Sequence, residues 1–165
     1  MVIVDWLGGM AFGATPPSGH KLIMDVLPND GSQRRGPSPV EALLSSAAAC
    51  SGMDVISILE KMRQRVTGYR IEIDGVRTPE GEWPRPFESI VMRHILEGEN
   101  LDEGAVQRAV ELSDSKYCSI VATLRRAPSI SSEWRIEALS PENAGSDAAA
   151  AKHPVQSEQQ AGNTR

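Results

Sequence analysis

The chain has 165 residues, room for one domain at the usual ~100–200 residues each. It is 40% hydrophobic and 24% charged, which excludes a wholly disordered chain, and its formal charge of −5 (17 Lys+Arg against 22 Asp+Glu) excludes the global basic field of a nucleic-acid binder. No uninterrupted apolar run approaches the ~18–20 residues of a membrane span, and the N-terminus has neither the basic region nor the apolar core of a signal peptide. The expectation is a cytoplasmic protein with no nucleic-acid or membrane partner.

Met1–Leu7 reads as a short strand, Gly8-Gly9 as a break or bulge, and Met10–Gly13 as the strand's continuation. Pro16-Pro17-Ser18-Gly19 is a turn, and His20–Val26 alternates like a second strand. A polar loop from Pro28 to Pro37 carries Arg34 and Arg35. The sharpest local signal follows. Ser38 is placed to cap a helix, Pro39 suits its first position, and Glu41 completes a capping box. The helix continues on an apolar stripe through Leu43, Ala47, Cys50, Val55, Leu59 and Met62 and ends among Lys61, Arg63 and Arg65, where cations favour a C-terminus. Gly52 inside it points to close packing or a kink.

Val66–Arg77 and Phe87–Glu97 alternate as strands, joined by the proline-rich loop Thr78–Pro86. Asn100 or Asp102 caps a second helix running to about Leu112, with a one-sided apolar face. Tyr117-Cys118-Ser119-Ile120 opens a further apolar segment to Leu124, and Ile130–Leu139 reads as the last strand. Strand blocks flank helices without strict alternation, so the class is α+β. From about Pro141 to Arg165 the composition turns to Ala, Gln, Ser, Asn and Gly, with Val155 the one large aliphatic, which implies a disordered tail after a domain of residues 1–140.

Cys50 and Cys118 are the only cysteines, too few for a disulfide scaffold. Cys50 shares the buried helix face of Leu43 and Ala47, and Ala47-Ala48-Ala49-Cys50-Ser51-Gly52 has only small side chains. As composition it reads as a small buried hydrophobe; as chemistry it reads as a thiol, which needs a nearby cation to react. Arg34 and Arg35 are the nearest basic pair in sequence, and either also reads as a solvated loop charge. Cys118 sits where backbone N–H groups at a helix start lower a thiol pKa. The histidines His20, His94 and His153 show no ligand spacing and the cysteines form no C-x-x-C, so no metal is expected, and no glycine-rich loop suggests a phosphate cofactor.

Gly36-Pro37-Ser38-Pro39-Val40-Glu41-Ala42-Leu43-Leu44 running into Ala47-Ala48-Ala49-Cys50, with Tyr117-Cys118-Ser119 at a Cys-to-Cys separation of 68 residues, resembles the OsmC/Ohr family of osmotically inducible and organic-hydroperoxide-resistance proteins. The resemblance covers about residues 1–139. Asp54-Val55-Ile56-Ser57-Ile58-Leu59 and Ser113–Ser119 are most similar to its YhfA-like subgroup. It implies two long helices packed with antiparallel sheets in an intertwined homodimer, and thiol peroxidase chemistry at the dimer interface without a cofactor. Cys50 would attack a hydroperoxide to give a sulfenic acid, Cys118 would resolve it to a disulfide, and an external dithiol would reduce that bond. The family also implies an arginine on an early strand, held by a glutamate after the helix-opening proline. Here the early strands offer only Lys21, Val40 follows Pro39, and Glu41 stands one place later, so Arg34, Arg35 and Glu41 are the expected stand-ins. The alternative is a non-catalytic dimeric protein of the same fold that binds a small ligand or senses redox state.

Overall fold

The computed structural model describes residues 1–26, 33–126 and 128–135. The expected tail, residues 28–32 of the basic loop and residues 136–139 of the expected last strand lie outside the described residues.

The first three strands are β1 (Ile3–Trp6), β2 (Phe12–Thr15) and β3 (Leu22–Met24). They form one antiparallel sheet in the order β1-β2-β3, with Trp6 opposite Phe12 and Phe12 opposite Met24. The expected single strand interrupted at Gly8-Gly9 is therefore a hairpin. Gly8 (φ 86°) and Gly9 (φ 57°) adopt left-handed conformations that glycine reaches at little steric cost, and they turn the chain back on itself instead of bulging it. Trp6 Nε1 donates to the Gly9 carbonyl at 3.0 Å and fastens the turn.

Helix α1 (Pro39–Lys61) is unbroken over 23 residues and starts as its sequence dictates. Ser38 Oγ accepts from the Glu41 amide at 3.2 Å, and the Ser38 amide donates to Glu41 Oε2 at 2.7 Å. Strands β4 (Arg65–Arg77) and β5 (Phe87–Glu99) form a long antiparallel hairpin. Its register sets Ile71 opposite His94, Ile73 opposite Met92 and Gly75 opposite Ile90, so the alternating apolar positions share a face. Asp102 caps α2 (Glu103–Leu112) by accepting from the Ala105 amide. A π turn (Ser113–Tyr117) then leads into α3 (Ser119–Arg126), so the second long helix of the expected fold is two shorter ones with a wider turn between them.

The core lies where α1, α2 and the hairpin meet. Val55, Leu59 and Ala109 are fully buried, with Ile58, Val66, Tyr69, Leu96, Ala105 and Val106 packed around them. Gly52 serves close packing: a Cβ there would stand 3.0 Å from Ile71 Cδ1, and α1 runs through it without interruption. By length and composition alone α1 would cross a membrane, but its polar residues Ser45, Ser46, Ser51 and Asp54 interrupt the apolar run, and it packs on β4, α2 and α3.

The chain divides at Pro128. The described residues of the second unit, 129–135, carry neither helix nor strand, so the expected strand from Ile130 is not formed over that stretch. Alternation alone does not make a strand; it needs a ladder partner, and no described strand pairs with these residues.

Candidate functional site

Two elements bring the cysteines together. On α1, Cys50 and Asp54 are four residues apart and so share one face, next to the buried Ser51 and Val55. Cys118 stands between the π turn and α3. Its amide donates to the Ser113 carbonyl at 2.9 Å and its carbonyl accepts from Ala122 at 3.0 Å, which makes it the N-cap of α3. The result is that Cys50 Sγ, Cys118 Sγ and a carboxylate oxygen of Asp54 all lie within 4.8 Å of one another. Both thiols are free; Cys118 is buried and Cys50 is partly accessible.

The surroundings act on the buried sulfur from several sides. Burial pushes the Cys118 thiol up, the neighbouring Cys50 adds to that, and hydrogen bonds from the Val121 and Ile120 amides work in the opposite direction. This is the cap geometry usually supplied by Ser or Asp, with sulfur as the acceptor. None of the groups that move Cys118 is a cation. Behind the pair, Ser113 Oγ sits 3.0 Å from Ser51 Oγ, 3.3 Å from the Ser51 carbonyl and 3.4 Å from Asp54 Oδ2. Ser51 and Ser113 are both buried, and this exchange satisfies their hydroxyls.

The other expected site residues lie elsewhere in the chain. Glu41 belongs to the capping box, and its carboxyl is held below the ordinary value chiefly by the Ser38 amide, with the Arg34 charge contributing. Arg34 Nη1 meets Glu41 Oε2 at 3.2 Å. Nine residues of helix separate Glu41 from Cys50, about 14 Å along the axis, so the Arg34–Glu41 pair does not reach the thiols of its own chain. Arg35 is a clamp. Its guanidinium donates to the Leu7 and Gly8 carbonyls and lies 3.5 Å from the buried Asp25 carboxylate, tying the β1–β2 turn to the approach of α1.

Asp54, Ser51 and Ser113 were not expected site residues. Asp54 was within reach of sequence reasoning, since a position four after a helical Cys shares its face. Ser113 carried no local signal, because its neighbours across the fold are 59 and 62 residues away.

Cavities open near the site, and two of them reach its residues. One of about 620 Å³ runs along the first half of α1 between Val40, Leu43 and Ala47 on one side and Phe87, Ile90 and Met92 on the other, with Val121 and Leu124 of α3 at its end. One of about 350 Å³ opens on Cys118 beside Lys116, Arg125 and Arg126. One of about 330 Å³ opens on Asp54 beside Ser57, Lys61 and Tyr117.

The family model for OsmC-like protein matches residues 30–133, which spans both cysteines. The chain belongs to the OsmC-like family. It is 38% identical to the protein YhfA of Escherichia coli (strain K12) over 135 residues, covering 82% of this chain and 96% of that one. A hypothetical protein from Aquifex aeolicus VF5 matches it in structure with a TM-score of 0.64 and 29% identity, over 77% of this chain and 87% of the other. An OsmC-like protein from Mycoplasma pneumoniae, 15% identical, shares the fold with a TM-score of 0.64 over 77% and 87% of the two chains. The α+β architecture of helices against antiparallel sheets is thus that of the family.

Proposed function

We propose that this OsmC-like protein is a thiol-dependent reductase of organic hydroperoxides that works through the Cys50–Cys118 pair. The observation that carries the reading is the meeting of two free thiols, one partly accessible and one buried, within 4.8 Å. The Cys50 thiolate attacks the outer oxygen of ROOH, the O–O bond breaks, and the departing alkoxide takes a proton to leave as ROH. Cys50 is now a sulfenic acid. The Cys118 sulfur attacks the Cys50 sulfur, the S–O bond breaks, and hydroxide takes the Cys118 proton and leaves as water. An external dithiol returns both thiols by exchange and is itself oxidised to a disulfide. The division of roles follows from exposure, since Cys50 is the more accessible of the two sulfurs. The larger cavity is lined by Leu43, Phe87, Ile90 and Met92 but also by Arg77, Arg85 and Arg125. It ends at Ala47, one helical turn before Cys50, and at Val121, whose amide bonds Cys118; its apolar side supports an organic R group over hydrogen peroxide.

We also propose that the working unit is a homodimer in a reducing cytoplasm. In a single chain Met53 on α1 is 73% exposed and Trp6 on β1 is 68% exposed, with Val4, Phe12 and Leu43 also open to solvent. Such a surface matches what a second copy of the chain would cover. A second reading, a redox sensor that forms the disulfide without steady turnover, is favoured by one observation: the carboxylate of Asp54 lies within 4.8 Å of both sulfurs.

The test is consumption of cumene hydroperoxide by the reduced protein with a dithiol donor. Wild type is expected to turn over continuously and Cys50→Ser not at all. With the dithiol withheld, Cys118→Ser is expected to consume one equivalent and stop with a sulfenic acid trappable by dimedone. A wild-type protein that oxidises once to the disulfide and is not recycled by any dithiol establishes the sensor instead.

A further inference from the structure

We propose that the reduced Cys50–Asp54–Cys118 cluster is a binding site for a thiophilic divalent metal ion of the zinc class. Sequence spacing gave no reason to expect one, because two of the donors come from one helix turn and the third from a cap far along the chain. The fold removes that separation.

The donor set is two sulfurs and one carboxylate oxygen. Two thiolates select soft or borderline ions and disfavour magnesium and calcium, which take oxygen ligands. In a tetrahedral zinc site the Zn–S distance of ~2.3 Å puts two sulfurs about 3.8 Å apart. All three donor atoms here already lie within 4.8 Å of one another, so closing around an ion needs shifts of about an ångström that side-chain rotation supplies.

The groups around the donors are those a metal site needs. Ser113 Oγ stands 3.4 Å from Asp54 Oδ2 and orients the carboxylate, as carboxylate ligands are usually held by a hydrogen-bond partner. The Ile120 and Val121 amides point at the Cys118 sulfur and would stabilise it as a thiolate ligand. Entry is open on two sides, through the cavity that reaches Asp54 and the one that reaches Cys118. Three protein donors leave a fourth position for water, the pattern of an exchangeable site rather than a closed structural one.

Binding releases the two thiol protons as M²⁺ joins two thiolates. Metal and hydroperoxide then draw on the same electron pairs, a consequence that rests on the reductase reading. In the bound dithiolate, ROOH plus two protons gives the disulfide, ROH, water and free M²⁺, so oxidation expels the ion and the ion shields the thiols.

The experiment is an anaerobic titration of the reduced full-length chain with Co²⁺, read by absorption. A sulfur-to-cobalt charge-transfer band with tetrahedral d–d bands is expected, saturating at one ion per chain and displaced by Zn²⁺. Cys50→Ser and Cys118→Ser are expected to lose most of that band. Asp54→Asn is expected to keep it but to bind on the order of tenfold more weakly or worse. Wild type with both thiols alkylated provides a folded control should a cysteine variant lose its circular dichroism. Absence of the band in wild type, or an affinity unchanged in Asp54→Asn, overturns the proposal. Neither readout involves hydroperoxide turnover, so this result stands or falls apart from the reductase reading.

Discussion

At the residue scale, the two sulfurs differ in access. Cys118 is 2% exposed, and burial together with Cys50 raises its thiol pKa, whereas Cys50 is partly open. Limited iodoacetamide on the native reduced protein is therefore expected to label Cys50 before Cys118, with mass mapping of peptides as the readout; faster labelling of Cys118 would reverse the assignment of nucleophile and resolver. His94 offers an independent titration on the β4–β5 face. Tyr69 Oη lies 2.6 Å from its Nδ1, and burial holds the ring below its ordinary pKa of 6.5 against the opposite pull of the Asp114 charge. As pH falls, the unfolded chain protonates this ring before the folded one does. Its contribution to stability is complete above pH 6.5 and is lost as pH drops through the folded-state value. His94→Gln is expected to show a smaller fall in melting temperature between about pH 7.5 and about pH 5.5 than wild type does, and an equal fall would assign the pH dependence to other groups.

At the element scale, the parts that sequence specifies most firmly are those whose partners lie within a turn. The Ser38–Glu41 capping box and the Asp102 cap were readable because their hydrogen bonds close over three residues. Ser38→Ala should cost about 1 kcal/mol in urea unfolding with Cys50 and Cys118 thiol reactivity unchanged, since the cap is about 18 Å of helix away from Cys50. The Gly8-Gly9 segment shows the opposite case. A bulged strand and a hairpin use the same left-handed glycines, and only the pairing of Trp6 with Phe12 separates them. The π turn was illegible for the same reason that Ser113 was: its register is set by contacts with α1 and not by its own residues. The cysteine frame came through the motif around Cys50 and Cys118, while Asp54, on the same helix face, was passed over for want of a known partner.

At the scale of the whole molecule, the described residues of a single chain bury little for the amount of apolar surface they carry. Its fully buried core cluster is Val55, Leu59 and Ala109, while large side chains on β1, β2 and α1 remain exposed. Periodicity placed Ala47, Val55 and Leu59 on a buried face, but Leu43 of the same stripe is exposed, and periodicity could not show that part of α1 stays uncovered among the described residues. Met53→Glu places a charge at the most exposed apolar position of that helix. It is expected to shift the mass measured by light scattering from that of two chains to that of one, with precipitation reduced rather than increased. A mass unchanged from wild type would move the shared surface to the β1–β3 sheet.

The sulfur of Cys118, the resolving thiol of the proposed reductase, faces the Ile120 and Val121 amides at the start of α3, whose first backbone acceptor is the Cys118 carbonyl. Ordinary caps are chemically inert, so a helix start is fixed for the life of a protein. Here the start of a helix is written in an atom with several oxidation states, and each state accepts the Ile120 and Val121 amides with different strength. The covalent state of one atom is thereby coupled to the fraying of Ser119–Arg126, the segment that carries Arg125 and Arg126. A change of two electrons at the sulfur is therefore expected to alter, about two turns away, how firmly Arg125 and Arg126 are held at the surface.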